Sequence, residues 1–343
     1  MRKVKLAQIG VGHNHGEAKM LSVLRSPDYF DVVGYAEPDP EWFAKRGHLK
    51  CYENVPLMTM EELLDTPGLE AVLVEPAVPD LMKIARICID RGLHIHLDKP
   101  VGADLEEYRA LLRDAKRQNL VVQLGLMYRH NPAVQECLRR AQSGELGEIY
   151  HMDCHMSSTH TLDYREYLND FPNGNMYIFG CHMNDLILSV MGEPEQVISF
   201  CHRTGKDGMT TVDNCAAALV YPKGTSFVRC SSVEINGWGR RQMVVCGEKG
   251  TIEVKPLEKP IGFTVSMEEQ MNKQNIGRDT KTTYGFDFSI SDRYLEQVRD
   301  FARIIRGEMK NPYPWEYEYM AQRVNLAACG LMEFTKLPKD FEL

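Results

Sequence analysis

Three stretches of the chain carry residue types whose spacing suits chemistry. The first is Ile9-Gly10-Val11-Gly12-His13-Asn14-His15-Gly16, placed after an apolar run and before a helix-like one. Glycines there let the backbone turn tightly and bring a pyrophosphate to a helix N-terminus, whose free N–H groups and dipole favour an anion. The usual spacing puts a third glycine at position 15; here that residue is His15, and the glycine follows at 16. Gly10 and Gly12 are read as a phosphate turn flanked by His13, Asn14 and His15, although a glycine pair is elsewhere only a turn. The second stretch is Ala36-Glu37, where a carboxylate accepts both hydroxyls of an adenosine ribose. Pro38, Asp39 and Pro40 follow with no Lys or Arg, which favours NAD over NADP; otherwise Glu37 is a solvated loop acid. The third is His94-Ile95-His96-Leu97-Asp98-Lys99-Pro100. Proline holds Lys99 extended at a strand's carboxyl end, the edge of an open α/β sheet where ligands bind. A lysine there polarises a hydroxyl or assists proton transfer once burial lowers its pKa; the plain alternative is a surface lysine before a turn.

The elements that must position these residues alternate in type. Runs at 4–10, 31–35, 69–74, 93–97 and 120–125 read as strands, and 16–25 reads as a helix. Asp80 opens another helix with Leu81, Ile84, Ala85, Cys88 and Ile89 on one face and Gly92 as its stop. Asp104 and Glu107 predict a capping box ahead of a stripe of Leu105, Tyr108, Leu111, Leu112 and Ala115. This alternation implies parallel pairing and a doubly wound sheet. After a helix near 132–141, strand patterns at 148–157, 195–202, 211–220, 225–233, 240–246 and 250–255 imply an antiparallel sheet with one covered face. Helices near 292–306 and 315–334 close the chain, and loops are expected near 169–175, 203–210 and 268–285. His151, Asp153 and His155 share one strand face, which invites a metal; such a face more often meets solvent, substrate or another subunit, so no metal is expected. Met127, Met176, Met183 and Met191 are expected to pack.

A length of 343 residues suggests two domains at roughly 150 residues each. Apolar residues at 43% and charged residues at 26% describe a soluble globular chain. The net charge of −8 and the lack of a Lys/Arg run argue against nucleic acid and anionic membrane surfaces as partners. No apolar stretch reaches membrane-spanning length, and the N-terminal run reads as a strand and not a signal peptide. None of the ten cysteines has another three positions away, which removes zinc ribbons and thioredoxin-like pairs. Buried thiols and a cytoplasmic setting are expected.

Taken together, these motifs resemble the glucose–fructose oxidoreductase, inositol dehydrogenase and MocA family over nearly the full length. The family's Glu-Lys-Pro appears as Asp98-Lys99-Pro100, its Arg-x-x-Pro as Arg129-His130-Asn131-Pro132, and its Gly-x-His-x-x-Asp as Gly180-Cys181-His182-Met183-Asn184-Asp185. Its β-turn appears as Gly247-Glu248-Lys249-Gly250-Thr251-Ile252. The resemblance implies an α/β architecture: an NAD(P)-binding Rossmann domain over 1–125, then an α+β substrate and oligomerisation domain over 126–343. The latter carries a large, open, mainly antiparallel sheet, with the C-terminal helices packing back on the first domain. The implied activity is hydride transfer between NAD(P) and a hydroxyl of a sugar, cyclitol or glycoside. Lys99 matches the catalytic lysine, and His182 the histidine that exchanges the hydroxyl's proton, a task that suits an imidazole. Glu75, Pro76, Asp98, Lys99 and Arg129 join the cofactor residues. Tyr128, His155, His160, Tyr164, Arg165, Asn175 and Tyr177 join His182 as substrate residues. Three departures stand out: Ile178 replaces the family's acid, Glu75-Pro76-Ala77 replaces Thr-Pro-Asn, and the third glycine is displaced. His155, His160 or Tyr164 stand as replacements for the acid. Two other readings remain open, NAD-assisted elimination or glycoside cleavage with cofactor regeneration, and a non-catalytic sugar- or nucleotide-binding protein. A homodimer or homotetramer through the open sheet face is expected.

Overall fold

The computed structural model describes residues 2–257, 262–270, 281–285, 293–338 and 340–343. The chain divides into two compact units, one of Met1–Met127, Ser291–Tyr319 and Phe341–Leu343, the other of Tyr128–Ile290 and Met320–Asp340.

The first unit is built on five strands: β1 (Val4–Ile9), β2 (Phe30–Ala36), β3 (Ala71–Val74), β4 (His94–Leu97) and β5 (Val122–Leu124). Every pairing is parallel, in the order β2-β1-β3-β4-β5. The strands read as continuous apolar runs because helices cover both faces of such a sheet. Those helices are α1 (Gly16–Leu24), α2 (Pro40–Arg46), α3 (Met60–Leu64), α4 (Leu81–Asp90) and α5 (Leu105–Arg117). The stripe expected of α4 is buried as its periodicity requires, and Gly92 takes a φ of 72° after it. The expected capping box at Asp104 is incomplete: its carboxylate accepts from the Glu106 and Glu107 amides, with no return bond from the Glu107 side chain. The full reciprocal box belongs to Thr59 and Glu62 at α3.

The second unit opens with α6 (Pro132–Gln142), β6 (Ile149–His155), α7 (Leu162–Leu168) and α8 (Cys181–Met191). It continues through β7 (Gln196–His202), β8 (Asn214–Tyr221), β9 (Gly224–Ser231), β10 (Gln242–Gly247), β11 (Gly250–Val254), β12 (Gly262–Met267) and β13 (Lys281–Gly285). The eight strands run β13-β12-β11-β10-β6-β9-β8-β7, antiparallel except for the parallel pair of β6 and β9. Strand β13 lies inside the span 268–285 read as a loop, and β12 lies just before it, where the sequence reading has no strand; residues 271–280 lie outside the described residues. Helix α7 and the turns before α8 are absent from the sequence reading, which has only a loop at 169–175. Helices α9 (Leu295–Ile305) and α10 (Trp315–Ala328) complete the chain, the latter ending six residues before the expected 334. Met127, Met176 and Met183 are buried and Met191 partly so. Among the described residues, no helix is long and apolar enough to cross a membrane.

Candidate active site

In the first unit, four neighbouring parallel strands deliver their carboxyl ends to one edge. Gly10 follows β1, Glu37 follows β2, Glu75 follows β3, and Asp98 and Lys99 follow β4. The sheet order reverses at β1, with β2 on one side and β3 on the other, and ligands bind at such switch points. Gly10 has a φ of 93°, and a Cβ there would stand 2.1 Å from the Pro76 nitrogen. Only glycine lets the turn press against the Glu75-Pro76 segment. The displaced glycine at 16 serves the helix–strand contact instead, since a Cβ would meet Gln8 Nε2 at 3.2 Å and Glu75 Cβ at 3.3 Å.

Beside this edge lies a cleft of about 600 Å³ lined by Glu37, Asp39, Trp42, Pro76, Ala77, Asp80, Lys83, Ile84 and Ile87 among others. Its size suits a small-molecule site. Glu37 is locked in place: its carboxylate accepts from the Val11 amide at 2.5 Å and the Asp39 amide at 2.9 Å. Burial pushes its pKa up, against the pull of those amides. Trp42 supplies an aromatic wall, with Lys45 Nζ 4.9 Å from its ring centre. Arg46, which the sequence reading passed over, bonds the His13 carbonyl at 3.0 Å and the Asn14 side chain at 2.8 Å. It places a guanidinium beside the phosphate turn.

Behind the turn is a buried charge cluster. Lys19 Nζ, with no exposed surface, donates to Glu75 at 2.7 Å and to Asp98 at 2.6 Å. His15 Nδ1 lies 3.0 Å from Asp98 Oδ2, and His13 Nδ1 lies 3.0 Å from the same oxygen. His13 Nε2 donates to the Lys99 carbonyl at 3.1 Å, and the Lys99 amide donates to Asp98 at 2.6 Å. Burial would raise the Asp98 carboxyl, but His13, Lys19 and His15 outweigh it and hold it well below the usual carboxylate range. Burial and the charge of Asp98 push Glu75 well above that range despite Lys19. Of the two carboxyls facing Lys19, Glu75 is thus the easier to protonate and Asp98 the easier to ionise. Burial lowers His15 to about 3, so the ring is neutral with its proton on Nδ1 toward Asp98. His13, His15 and Asp98 offer donor atoms all within 4.8 Å of one another, but the cation this carboxylate needs is already Lys19. Lys99 itself is nearly buried, at 6% exposure.

In the second unit, residues 176–180 form a π-turn that runs into α8 and brings His182 inward, 2% exposed. Such turns recur at functional sites. The Tyr128 ring meets the His182 imidazole edge-on at 5.3 Å, and its hydroxyl is 3.5 Å from Arg241. Arg241, another residue without a signal in the sequence reading, is buried and bonded to the Ser157 carbonyl and the Ser158 hydroxyl, with its guanidinium 4.0 Å from the Trp238 ring centre. His160 stacks on Tyr164 (4.4 Å) and on Phe179 (5.3 Å), and its Nε2 is buried without a hydrogen-bond partner. Burial, then the charge of Arg241, lowers His160 to about 4, and burial raises Tyr164 to about 12. Asn175 is wholly buried, and neither end of its amide has a partner. Burial also raises the Tyr177 hydroxyl.

Three residues expected in binding roles have protein partners. Arg129 spends Nε and Nη2 on Asp185, at 2.8 and 2.7 Å, and so anchors α8 by its partner in the Gly-x-His-x-x-Asp segment. Arg165 bonds the Asp207 carboxylate and the Lys206 carbonyl, fastening a loop. His155 contacts Arg229 at 2.9 Å and Glu234 at 3.3 Å on the sheet. Its face-mates are also tied separately, His151 to the Thr225 carbonyl at 2.6 Å and Asp153 to Gln242 at 3.1 Å, so the three do not converge on a point.

A family model for an oxidoreductase family with an NAD-binding Rossmann fold matches residues 4–126, and a GFO/IDH/MocA C-terminal domain model matches residues 134–253. The chain belongs to the GFO/IDH/MocA oxidoreductase family. It is 23% identical over 312 residues to the uncharacterized oxidoreductase YhhX of Escherichia coli, covering 87% of this chain and 85% of that one. It is 31% identical over 91 residues to the scyllo-inositol 2-dehydrogenase (NAD(+)) of Bacillus subtilis, covering 26% and 27%. Among solved structures, a levoglucosan dehydrogenase in complex with NADH and L-sorbose aligns with a TM-score of 0.81 at 17% identity, covering 96% of this chain and 97% of that one. As a GFO/IDH/MocA protein, the chain has a Rossmann sheet and a large, mainly antiparallel sheet, the architecture expected from its motifs.

Proposed function

We propose that this GFO/IDH/MocA protein is an NAD-dependent dehydrogenase acting on a hydroxyl of a sugar, cyclitol or glycoside. The observation that carries this reading is the gathering of the glycine turn, Glu37, Glu75 and Lys99 at the carboxyl ends of adjacent parallel strands. The cleft beside Glu37 has the size and the aromatic wall to take an adenosine. Bound NAD supplies the acceptor for a hydride. Glu37 holds the adenosine ribose, the turn at 10–16 and the N-terminus of α1 hold the pyrophosphate, and Arg46 adds positive charge there. Lys99 polarises the substrate hydroxyl, and His182 takes its proton as the hydride leaves. Ile178 cannot move a proton; His160 and Tyr164, which both meet the neighbouring Phe179, take over the polar contacts that the family's acid makes. Among the described residues that line the cleft, four acids, Glu37, Asp39, Glu41 and Asp80, face one lysine, Lys83, which supports NAD over a cofactor bearing a 2′-phosphate. The relatives that use NAD with an inositol or hold NADH beside a sugar support the same substrate class.

The test is native mass spectrometry of the purified protein for a co-purified dinucleotide, followed by absorbance at the NADH band with a panel of sugars and cyclitols. Net NADH formation with a member of the panel upholds the reading. Product without net NADH moves the assignment to elimination or cleavage, and ligand binding without product moves it to a sensing role. Glu37→Ala is expected to weaken NAD binding by about 1.5–3 kcal/mol, the scale of hydrogen bonds to a charged group. Calorimetric titration measures it, and Glu37→Gln, which keeps the shape, should lose less.

The same reading includes self-association through the outer face of the eight-stranded sheet. Ile198, Phe200 and Phe227 stand 44–47% exposed on β7 and β9, an apolar face that a second copy would cover. Sedimentation velocity should show a dimer or tetramer, and Phe200→Glu should shift it toward monomer.

A further inference from the structure

The second unit lines up its thiols across neighbouring strands. Cys201 of β7 stands directly opposite Cys215 of β8, and Cys215 stands directly opposite Cys230 of β9. Facing residues of an antiparallel pair have Cα atoms about 4.5–5.5 Å apart. Disulfides form with Cα separations of about 4.4–6.8 Å, so the ladder presents the first two cysteines at bonding distance. Strand β7 is an edge of the sheet, and Cys201 is only partly buried, whereas Cys215 is 1% exposed and Cys230 fully covered. A small oxidant therefore meets Cys201 first. The Ser199 hydroxyl also donates to the Cys201 sulfur at 3.4 Å.

We propose that Cys201 and Cys215 are a redox modification site, closing a reversible disulfide across β7 and β8 when the protein meets a hydroperoxide. The charge distribution suits the two roles. A hydrogen bond from Cys215, helped by Ser199 and opposed by burial, lowers the Cys201 thiol to about 7, toward its reactive thiolate, although its sulfur also faces the Ala328 carbonyl at 3.8 Å. The bond to Cys201, with burial, pushes Cys215 up, so it stays a protonated thiol. The Cys201 thiolate attacks one oxygen of hydrogen peroxide, forming a sulfenic acid and releasing hydroxide. Cys215 passes its proton to the sulfenic hydroxyl as its sulfur, now a thiolate, attacks the Cys201 sulfur; water leaves and the S–S bond forms. Two thiols lose two electrons, and one peroxide becomes two waters. Cys215 is also in hydrogen-bond contact with the Met176 backbone, at the start of the π-turn that leads to His182. A cytoplasmic disulfide of this kind is transient and regulatory rather than structural.

The full-length protein, purified reduced, is treated with hydrogen peroxide, blocked with N-ethylmaleimide and mapped by non-reducing peptide mass spectrometry. A single cross-linked pair containing Cys201 and Cys215 is expected, about 2 Da lighter than the two thiol peptides and released by dithiothreitol. In Cys215→Ser, dimedone should label Cys201. Complete alkylation of Cys201 and Cys215 after peroxide, or a bond between Cys215 and Cys230 instead, would overturn the proposal. The mapping on the unaltered protein decides the matter even where Cys215→Ser fails to fold.

Discussion

Replacing Lys19 with methionine is expected to destabilise the first unit by about 3–5 kcal/mol, the cost of leaving a buried ion without its partner. Lys19 has no exposed surface and holds two carboxyl groups at 2.6 and 2.7 Å. Without its ammonium, Asp98 keeps the imidazoles of His13 and His15 and the Lys99 amide, and a methionine fills the space without answering the charge. The unfolding midpoint in urea, followed through Trp42 and Trp315 of the first unit, measures the loss. Lys19→Met combined with Asp98→Asn should cost less than the sum of the two single changes, because the second change removes the charge that the first exposes. A loss below about 1 kcal/mol for Lys19→Met would mean that the ion trio contributes no more than a surface pair.

The trio also fixes how that stability depends on pH. Asp98 is depressed in the folded state, so its contribution is present above the ordinary aspartate range and fades as pH falls through its folded value. Glu75 is raised, so its contribution is full below the ordinary glutamate range and is lost as pH climbs toward its folded value. Glu75→Gln resembles the protonated form and should flatten the second limb alone.

How much of this was legible differs from residue to residue. The five parallel strands were found within two residues or so of their ends because a strand covered on both faces is a short apolar run bounded by glycines and caps. The place of Glu37 after β2 was legible for a related reason, since strand order and a loop position sufficed. Lys19 left a trace that went unread: it occupies a helix position between Gly16 and Met20 or Val23 that the buried stripe of α1 reserves for apolar residues. Its partners lie 56 and 79 residues away, and no local pattern reports them. Arg129 shows the same limit in reverse. Its motif was visible, but its ion pair with Asp185, also 56 residues distant, was not. His155 alternates correctly along β6, yet Arg229, its partner on β9, and Glu234 just beyond β9 come from a distant part of the chain and contact it. Periodicity tells which way a side chain points; only the packed sheet tells what it meets.

Lys99→Ala and His182→Asn are each expected to lower turnover by about 10²–10⁴-fold, the range that proton transfer by a positioned side chain supplies. Lys99 is fixed from its backbone, where its amide donates to Asp98 and its carbonyl accepts from His13. Removing the side chain beyond Cβ leaves those bonds intact, so thermal melting should move little while steady-state rates collapse. Lys99→Arg should not restore the rate, because a planar, permanently charged fork cannot deliver the compact donor of an ammonium. His182 sits against the Tyr128 ring at the head of α8, a helix fastened by Asp185 to Arg129, so His182→Asn should likewise spare the fold. If the two groups act on one hydroxyl, the double variant will lose little more than the worse single one, because each is idle without the other. Fully multiplicative losses would assign them to separate steps, and near-normal turnover in Lys99→Ala would remove the lysine from the chemistry altogether. Stopped-flow measurement of hydride transfer, with the NAD dissociation constant taken in parallel, separates a loss of chemistry from a loss of cofactor.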